Sequence, residues 1–134
     1  MEIGFIGLGR MGIRIARNLL NVYGKINVYN RTKTKAKEII ETGAKFFDTP
    51  KDLALNSDLI FSMVSDSKAV KEVLLGKDGA FYGAKKGSYF IDMSTIQPKV
   101  SIELYNEAKV RGFHFLDAPV IGSIDAAEKA SLTI

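Results

Sequence analysis

Three glycines near the start of the chain have a spacing that brings a backbone close to phosphate groups. Gly7, Gly9 and Gly12 form the pattern G-x-G-x-x-G within GFIGLGRMG at 4–12. The pattern follows an apolar run and opens an amphipathic stretch, which is the strand–turn–helix context that dinucleotide binding requires; the alternative is a plain tight turn. In such a site the first glycine permits the turn, the second the approach of a pyrophosphate, and the third close packing of helix on strand.

The helix that follows the glycines would present free N–H groups and a positive dipole end to the phosphates. We therefore predict cofactor contacts along the whole loop. Its residues are Gly7, Leu8, Gly9, Arg10, Met11 and Gly12.

A second set of polar residues indicates which dinucleotide would bind. A site that prefers NAD carries Asp or Glu after the second strand, where the carboxylate holds the ribose 2′-hydroxyl. Here that position holds Asn30, Arg31 and Thr32, about 18 residues beyond Gly12. An arginine can pair with a 2′-phosphate, which a carboxylate would repel. We predict NADP(H) rather than NAD(H), with the alternative that Arg31 only occupies a solvated turn.

The elements that must position these residues alternate between short apolar strands and amphipathic helices. This alternation predicts an α/β fold of the Rossmann type, with a doubly wound, mostly parallel sheet and helices on both faces. Strands are predicted at 3–6, 26–29, 44–47, 59–64, 89–93 and 113–116, and a further strand begins at 131–134 and stops in progress. Helices are predicted after Gly9, at 33–42, from Pro50, at 66–76 and from Pro98 to Gly112.

Composition narrows the classes of function. The 134 residues fit one domain, which we place at 1–134. The chain has no cysteine and one histidine, so no metal site is predicted, and a cytoplasmic location is expected. No apolar run is long enough for a membrane helix. The net charge of +4 is scattered rather than clustered, which disfavours a nucleic-acid partner.

Five segments in order resemble the β-hydroxyacid dehydrogenases, a family that includes 3-hydroxyisobutyrate dehydrogenase and the glyoxylate/succinic semialdehyde reductases. The segments cover nearly the whole chain. They are GFIGLGRMG at 4–12, NRTKTKA at 30–36, FSMVSDSKAV at 61–70, FIDMSTIQP at 90–98 and DAPVIGS at 117–123.

The resemblance implies further site residues. The loop after the fourth strand would lie along the cofactor through Val64 and Ser65, and Thr95 would contact the nicotinamide side. The segment 117–123 resembles the substrate motif D-A-P-V-S-G-G, which implies that Gly122 and Ser123 receive a substrate carboxylate. Ile121 replaces the usual serine of that motif, which leaves the carboxylate contact and the substrate open.

The resemblance also implies an activity that these residues cannot complete. Members of the family transfer hydride between NADPH and a short β-hydroxyacid or semialdehyde, with a catalytic lysine on a C-terminal all-helical domain. We expect that domain to be absent here, so no catalytic residue is predicted, the isolated chain is expected to be inactive, and the fold is expected to be cut short at its C-terminal end.

Two other readings stay open. One is a stand-alone dinucleotide-binding module without catalysis, and the other is an NADPH domain of the imine reductase type. The 6-phosphogluconate dehydrogenases are disfavoured because their substrate motif differs. Apolar surface left by the missing helices predicts a homo-oligomer, with a small carboxylate-bearing molecule as the substrate of the complete enzyme.

Overall fold

A single parallel sheet of six strands organises the molecule. The computed structural model describes residues 1–134, and its strands lie side by side in the order β3-β2-β1-β4-β5-β6. This order reverses direction between β1 and β4, as in the dinucleotide-binding form of the doubly wound fold. The strands are β1 Ile3–Ile6, β2 Asn27–Tyr29, β3 Lys45–Phe46, β4 Leu59–Ser62, β5 Tyr89–Asp92 and β6 His114–Asp117.

Helices connect these strands, as parallel pairing requires. The α-helices are α1 Gly12–Tyr23, α2 Lys37–Glu41, α3 Pro50–Leu55, α4 Ser67–Leu75, α5 Pro98–Val110 and α6 Ile124–Glu128. Two single 3₁₀ turns, Lys33–Ala36 and Ala80–Tyr82, complete the connections. No helix is long and apolar enough to cross a bilayer.

The core consists of two apolar layers, one on each face of the sheet. Ile3 and Phe5 of β1 face one layer, which contains the inner face of α1 and Ala127 of α6. Ile6 faces the other layer, which contains apolar residues of α3, α4 and α5. Burial of a large apolar side chain such as Phe5 contributes about 2 kcal/mol, so the two layers fix the strand ends that carry the loops of the site.

The predicted sheet, its parallel pairing and the main helices are confirmed. Two predictions of detail are wrong. The helix predicted at 33–42 is divided into the 3₁₀ turn Lys33–Ala36 and α2, because the N–H of Lys37 bonds to the carbonyl of Thr34 in the tighter pattern.

The strand predicted at 131–134 does not join the sheet. A short unpredicted helix, α6, is capped by the Ser123 hydroxyl and turns the chain back before that segment. Thr133 instead exchanges two hydrogen bonds with Ile121, of 2.8 and 3.0 Å, in an isolated antiparallel bridge. Leu132 packs against the core layer of α1, so the apolar residues that suggested a strand are partly buried by other means.

Candidate functional site at the carboxyl edge of the sheet

A cleft of about 490 Å³ opens at the carboxyl ends of the strands, where the strand order reverses between β1 and β4. This is the place where open α/β sheets bind ligands. The walls come from the loop after β1, the end of β2, the loop after β4 and the first turns of α4. The lining residues are Ile6, Gly7, Gly9, Arg10, Met11, Gly12, Tyr29, Asn30, Arg31, Thr32, Lys35, Met63, Val64, Ser65, Ala69, Glu72 and Val73.

The three glycines of the loop differ in what their missing side chains would meet. At Gly7 a Cβ would lie 2.2 Å from the carbonyl oxygen of Met63, and the φ angle is +99°. At Gly12 a Cβ would lie 2.0 Å from the carbonyl oxygen of Gly7. At Gly9 a Cβ would meet nothing within 4 Å and would occupy open space in the cleft. The fold thus explains two of the glycines, whereas Gly9 leaves room for a ligand.

Backbone donors at the start of α1 lie without partners. The N–H groups of Gly9, Arg10, Met11 and Gly12 make no hydrogen bond within the protein, and all four residues line the cleft. Met11 precedes the helix and provides no side-chain cap. Four free donors at the positive end of a helix dipole form a binding site for an anion such as a pyrophosphate.

Asn30 joins the glycine loop to the turn after β2. Its Oδ1 accepts a hydrogen bond of 2.8 Å from the N–H of Leu8, and its Nδ2 donates one of 2.9 Å to the carbonyl of Thr32. A single side chain therefore holds both segments that the sequence assigned to the cofactor. Each end of its amide thus makes one hydrogen bond within the protein.

Positive charge around the cleft is unpaired. Arg10, Arg31 and Lys35 line the cleft, and none of them has a carboxylate within 4.0 Å. Lys33, in contrast, pairs with Asp48 at 3.1 Å and does not line the cleft. Glu72 of α4 is the single carboxylate in the wall. The cleft therefore carries more positive than negative charge and favours an anionic ligand.

Charged side chains from two walls of the cleft affect the pKa of Tyr29. Burial raises the pKa of its hydroxyl, the positive charge of Arg31 opposes that rise, and the negative charge of Glu72 adds to it. Both charged side chains therefore act on the same ring at the end of β2. The hydroxyl stays protonated at neutral pH and can donate a hydrogen bond.

A buried carboxyl lies beneath the far side of the cleft. Asp92 is completely buried, and its Oδ1 accepts hydrogen bonds from the hydroxyls of Ser62, at 2.7 Å, and Ser94, at 2.8 Å. Its Oδ2 has no partner. Burial raises the pKa of Asp92, and the two serine hydrogen bonds oppose the rise only in part. The Ser94 hydroxyl in turn accepts a hydrogen bond of 3.0 Å from the N–H of Val64.

The structure brings most of the predicted site residues together. Those that line the cleft are Gly7, Gly9, Arg10, Met11, Gly12, Asn30, Arg31, Thr32, Val64 and Ser65. Leu8 is buried and faces the core, and only its N–H takes part, through Asn30. Thr95 is exposed beyond the cleft wall. Gly122 and Ser123 lie before α6, outside the cleft, so a substrate role for them stays a prediction.

Sequence reasoning missed several cleft residues. Tyr29 and Glu72 carry polar groups there, and Met63, Ala69 and Val73 add apolar wall. Glu72 follows no motif spacing, so the sequence offered no signal for it. For Tyr29 a signal existed, because the last residue of a parallel strand reaches the ligand edge.

The residues present fit a dinucleotide cofactor. The open space at Gly9 and the four free N–H groups match a pyrophosphate, and the cations of Arg31 and Lys35 add positive charge beside it. The apolar wall of Val64, Ala69 and Val73 suits the flat face of a base.

Comparison with known proteins agrees with this fit. Residues 2–134 match the family model for the NAD-binding domain of 6-phosphogluconate dehydrogenase. The chain is 42% identical over 134 residues to the uncharacterized oxidoreductase YfjR of Bacillus subtilis, covering all of this chain and 47% of that protein. It is 37% identical over 132 residues to glyoxylate/succinic semialdehyde reductase 2 of Arabidopsis thaliana, covering 98% of this chain and 37% of that one. The chain thus spans less than half the length of these relatives.

Solved structures show the same fold. The structure of Psf3 in complex with NADP+ and 2-OPP superposes with a TM-score of 0.91 at 31% identity, covering 97% of this chain and 46% of that one. The 3-hydroxyisobutyrate dehydrogenase of Mycobacterium tuberculosis with L-serine has a TM-score of 0.91 at 27% identity, covering 98% and 45%. The match to the family model concerns the nucleotide-binding domain and leaves the disfavoured 6-phosphogluconate substrate untested.

Proposed function

The chain belongs to the NAD-binding domain family of 6-phosphogluconate dehydrogenase and, within it, to the β-hydroxyacid dehydrogenase group, and from this premise we propose that its cleft binds NADP(H) in preference to NAD(H). That it is an NAD(P)-binding domain of a dehydrogenase or reductase follows from the family. The preference for the phosphorylated cofactor is the proposal.

The observation that carries the proposal is the unpaired charge at the end of β2. Arg31 and Lys35 line the cleft without a carboxylate partner, and positions 30–32 contain no acid. A 2′-phosphate would supply the missing anionic partner, and the Arg31 guanidinium can bind it with two parallel hydrogen bonds. Since an unpaired arginine gains little from a neutral ribose hydroxyl, the same geometry favours NADP(H).

The reaction we propose for the complete protein is hydride transfer between NADPH and a short β-hydroxyacid or semialdehyde that carries a carboxylate. The nicotinamide supplies the hydride when the cofactor is bound. In this chain the free N–H groups at the start of α1 would hold the pyrophosphate, and the loops after β4 and β5 would lie along the nicotinamide half.

We further propose that this chain by itself binds cofactor without turning it over. Transfer to a carbonyl needs a group that exchanges a proton with its oxygen. The one lysine in the cleft wall is Lys35, which lies at the adenosine end, after β2. We expect no loss of NADPH absorbance when the chain is mixed with NADPH and glyoxylate or succinic semialdehyde.

Calorimetric titration of NADPH and NADH into the wild type and Arg31→Asp tests the cofactor preference. We expect the wild type to bind NADPH at least tenfold more tightly than NADH, and R31D to reverse that order, because the new carboxylate repels the 2′-phosphate and accepts from the ribose hydroxyl. Lys33→Asp is the matched control: it makes the same change of charge two residues away, at a lysine that lies outside the cleft. Equal reversal by K33D, or an unchanged preference in R31D, would refute the assignment.

We also propose that the chain self-associates. Leu116 on the edge strand β6 is 56% exposed and Ile121 is 75% exposed. Apolar side chains displayed beside an open strand edge favour contact with a second copy. Light scattering is expected to give a dimer or larger species, and a monomer at high protein concentration would contradict this.

A further inference from the structure

The buried group around Asp92 connects the ends of two neighbouring strands. Asp92 closes β5 and Ser62 closes β4, in direct register. Ser94, itself completely buried, donates its hydroxyl hydrogen to Asp92 and accepts from the N–H of Val64. A continuous path of hydrogen bonds therefore runs from the carboxyl of Asp92 to the backbone of the loop after β4.

The position of that loop gives the path a consequence for ligand binding. The doubly wound sheet consists of two mononucleotide-binding halves, and a dinucleotide lies across the switch point between them. The half from β1 to β3 carries the glycine loop and Arg31, where the adenosine side lies under the proposed function. The second nucleoside must then lie along the loops after β4 and β5, of which the first contributes Met63, Val64 and Ser65 to the cleft wall.

We propose that Asp92 is a positioning residue that, through Ser94, holds the 63–65 loop in the place needed by the nicotinamide half of the cofactor. The proposal rests on the proposed function. Asp92 lies beneath the cleft wall, so it acts through Ser94 and Val64. Because Oδ2 accepts no hydrogen bond, the side-chain hydrogen bonds of Asp92 are those that its Oδ1 accepts from the two serines.

The chain offers a matched control at the opposite end of the same sheet. Ser57 is also completely buried, donates to the carbonyl of Leu53 at 2.8 Å, and accepts from Asn27 at 3.1 Å. Ser57→Ala and Ser94→Ala therefore remove the same hydroxyl from equally buried positions. Only Ser94 is connected to the cleft.

The experiment compares two ligands. Adenosine 2′,5′-bisphosphate represents the adenosine half alone, and NADPH adds the nicotinamide half. We expect S94A to weaken NADPH about tenfold while the bisphosphate changes less than twofold, and S57A to change neither. Asp92→Asn keeps an oxygen that can accept from both serines, so it should bind NADPH nearly as well as the wild type, whereas Asp92→Ala should behave like S94A.

A second measurement needs no ligand. The N–H of Val64 has Ser94 as its partner, so S94A should speed its hydrogen exchange at least tenfold, and S57A should not. Equal weakening of both ligands by S94A, or unchanged NADPH affinity together with faster exchange, would overturn the positioning role. A wild type that binds neither ligand would overturn the proposed function and this inference with it.

Discussion

The two ends of the parallel sheet differ in how completely their polar groups are satisfied. At the amino edge, Asp58 accepts from the N–H of Glu2 at 2.8 Å, Lys25 forms an ion pair with Glu2, and Asn27 donates to both the carbonyl of Asn56 and the hydroxyl of Ser57. At the carboxyl edge, four consecutive N–H groups and the cations of Arg10 and Arg31 have no partner in the protein.

This difference distinguishes polar groups that stabilise the fold by pairing with each other from polar groups that remain available to a ligand. Unpaired helix-end N–H groups and unpaired cations gathered in one cleft indicate the kind of ligand that the cleft favours. Here the missing partner is an anion that accepts several hydrogen bonds. The comparison predicts that equal substitutions at the two kinds of position will affect different properties.

The largest effect is expected at a glycine that the fold itself requires. Gly12→Ala would place a methyl group 2.0 Å from the carbonyl oxygen of Gly7, so helix and loop must separate. We expect the free energy of unfolding to fall by about 3 kcal/mol, as for other substitutions that overfill a packed site. Urea denaturation followed by circular dichroism measures this, and a stability equal to the wild type would show that α1 can shift freely.

Gly9→Ala makes the identical chemical change where the fold leaves open space. Its Cβ meets nothing within 4 Å, so stability should stay within about 0.5 kcal/mol of the wild type. The methyl group enters the space of the pyrophosphate, so NADPH affinity should fall at least tenfold, or about 1.4 kcal/mol. Calorimetry and denaturation of G9A beside G12A test the pair, and normal binding by G9A would mean that the phosphates lie elsewhere.

Ser57→Ala tests the amino edge of the sheet, where the polar groups have partners within the protein. The substitution removes one donor and one acceptor from a buried network, and we expect a loss of about 1 kcal/mol in unfolding free energy. NADPH affinity should not change, since no residue of this network lines the cleft. A drop in affinity would show that the two edges are coupled through the sheet.

The smallest effect is a dependence of stability on pH. Burial raises the pKa of Asp92, so between about pH 4, where the unfolded chain ionises, and the higher folded pKa, the wild type loses stability as pH rises. Asp92→Asn should remove that loss. Asp66→Asn should have the opposite effect. The N–H of Ala69 lowers the pKa of Asp66, so the ionised carboxylate stabilises the folded chain, and the wild type loses this stabilisation as pH falls. Denaturation curves from about pH 2 to 7 decide between these signs, because the Asp66 effect appears below about pH 4 and the Asp92 effect above it.

The sequence predicted the fold more completely than the site. The apolar runs of β1, β4 and β5 and the glycine spacing predicted a doubly wound parallel sheet, because a strand–turn–helix start leaves few alternative topologies. The short helix α6 was missed because its five residues carry too weak an amphipathic signal to outweigh the apolar segment after it.

Within the site, sequence spacing identified many of the residues at the cleft but not the contacts that each of them makes. Asn30 was predicted to contact the cofactor, and the structure shows both ends of its amide engaged with the backbone. Lys35 and Glu72 are brought to the cleft by the direction of a 3₁₀ turn and a helix, which no local pattern specifies. Asp92 belongs to a conspicuous motif, yet its pairing with Ser62 depends on strand register.

The two hydrogen bonds of the Asn30 side chain have a consequence for the redesign of this domain. Because one amide bonds to both the glycine loop and the turn that bears Arg31, Asn30 fixes the position of these two segments relative to each other. Positions 31 and 32 can be replaced as a cassette to change cofactor choice, while the loop keeps its shape. Substitution of Asn30 itself would remove both hydrogen bonds and release the glycine loop from that turn.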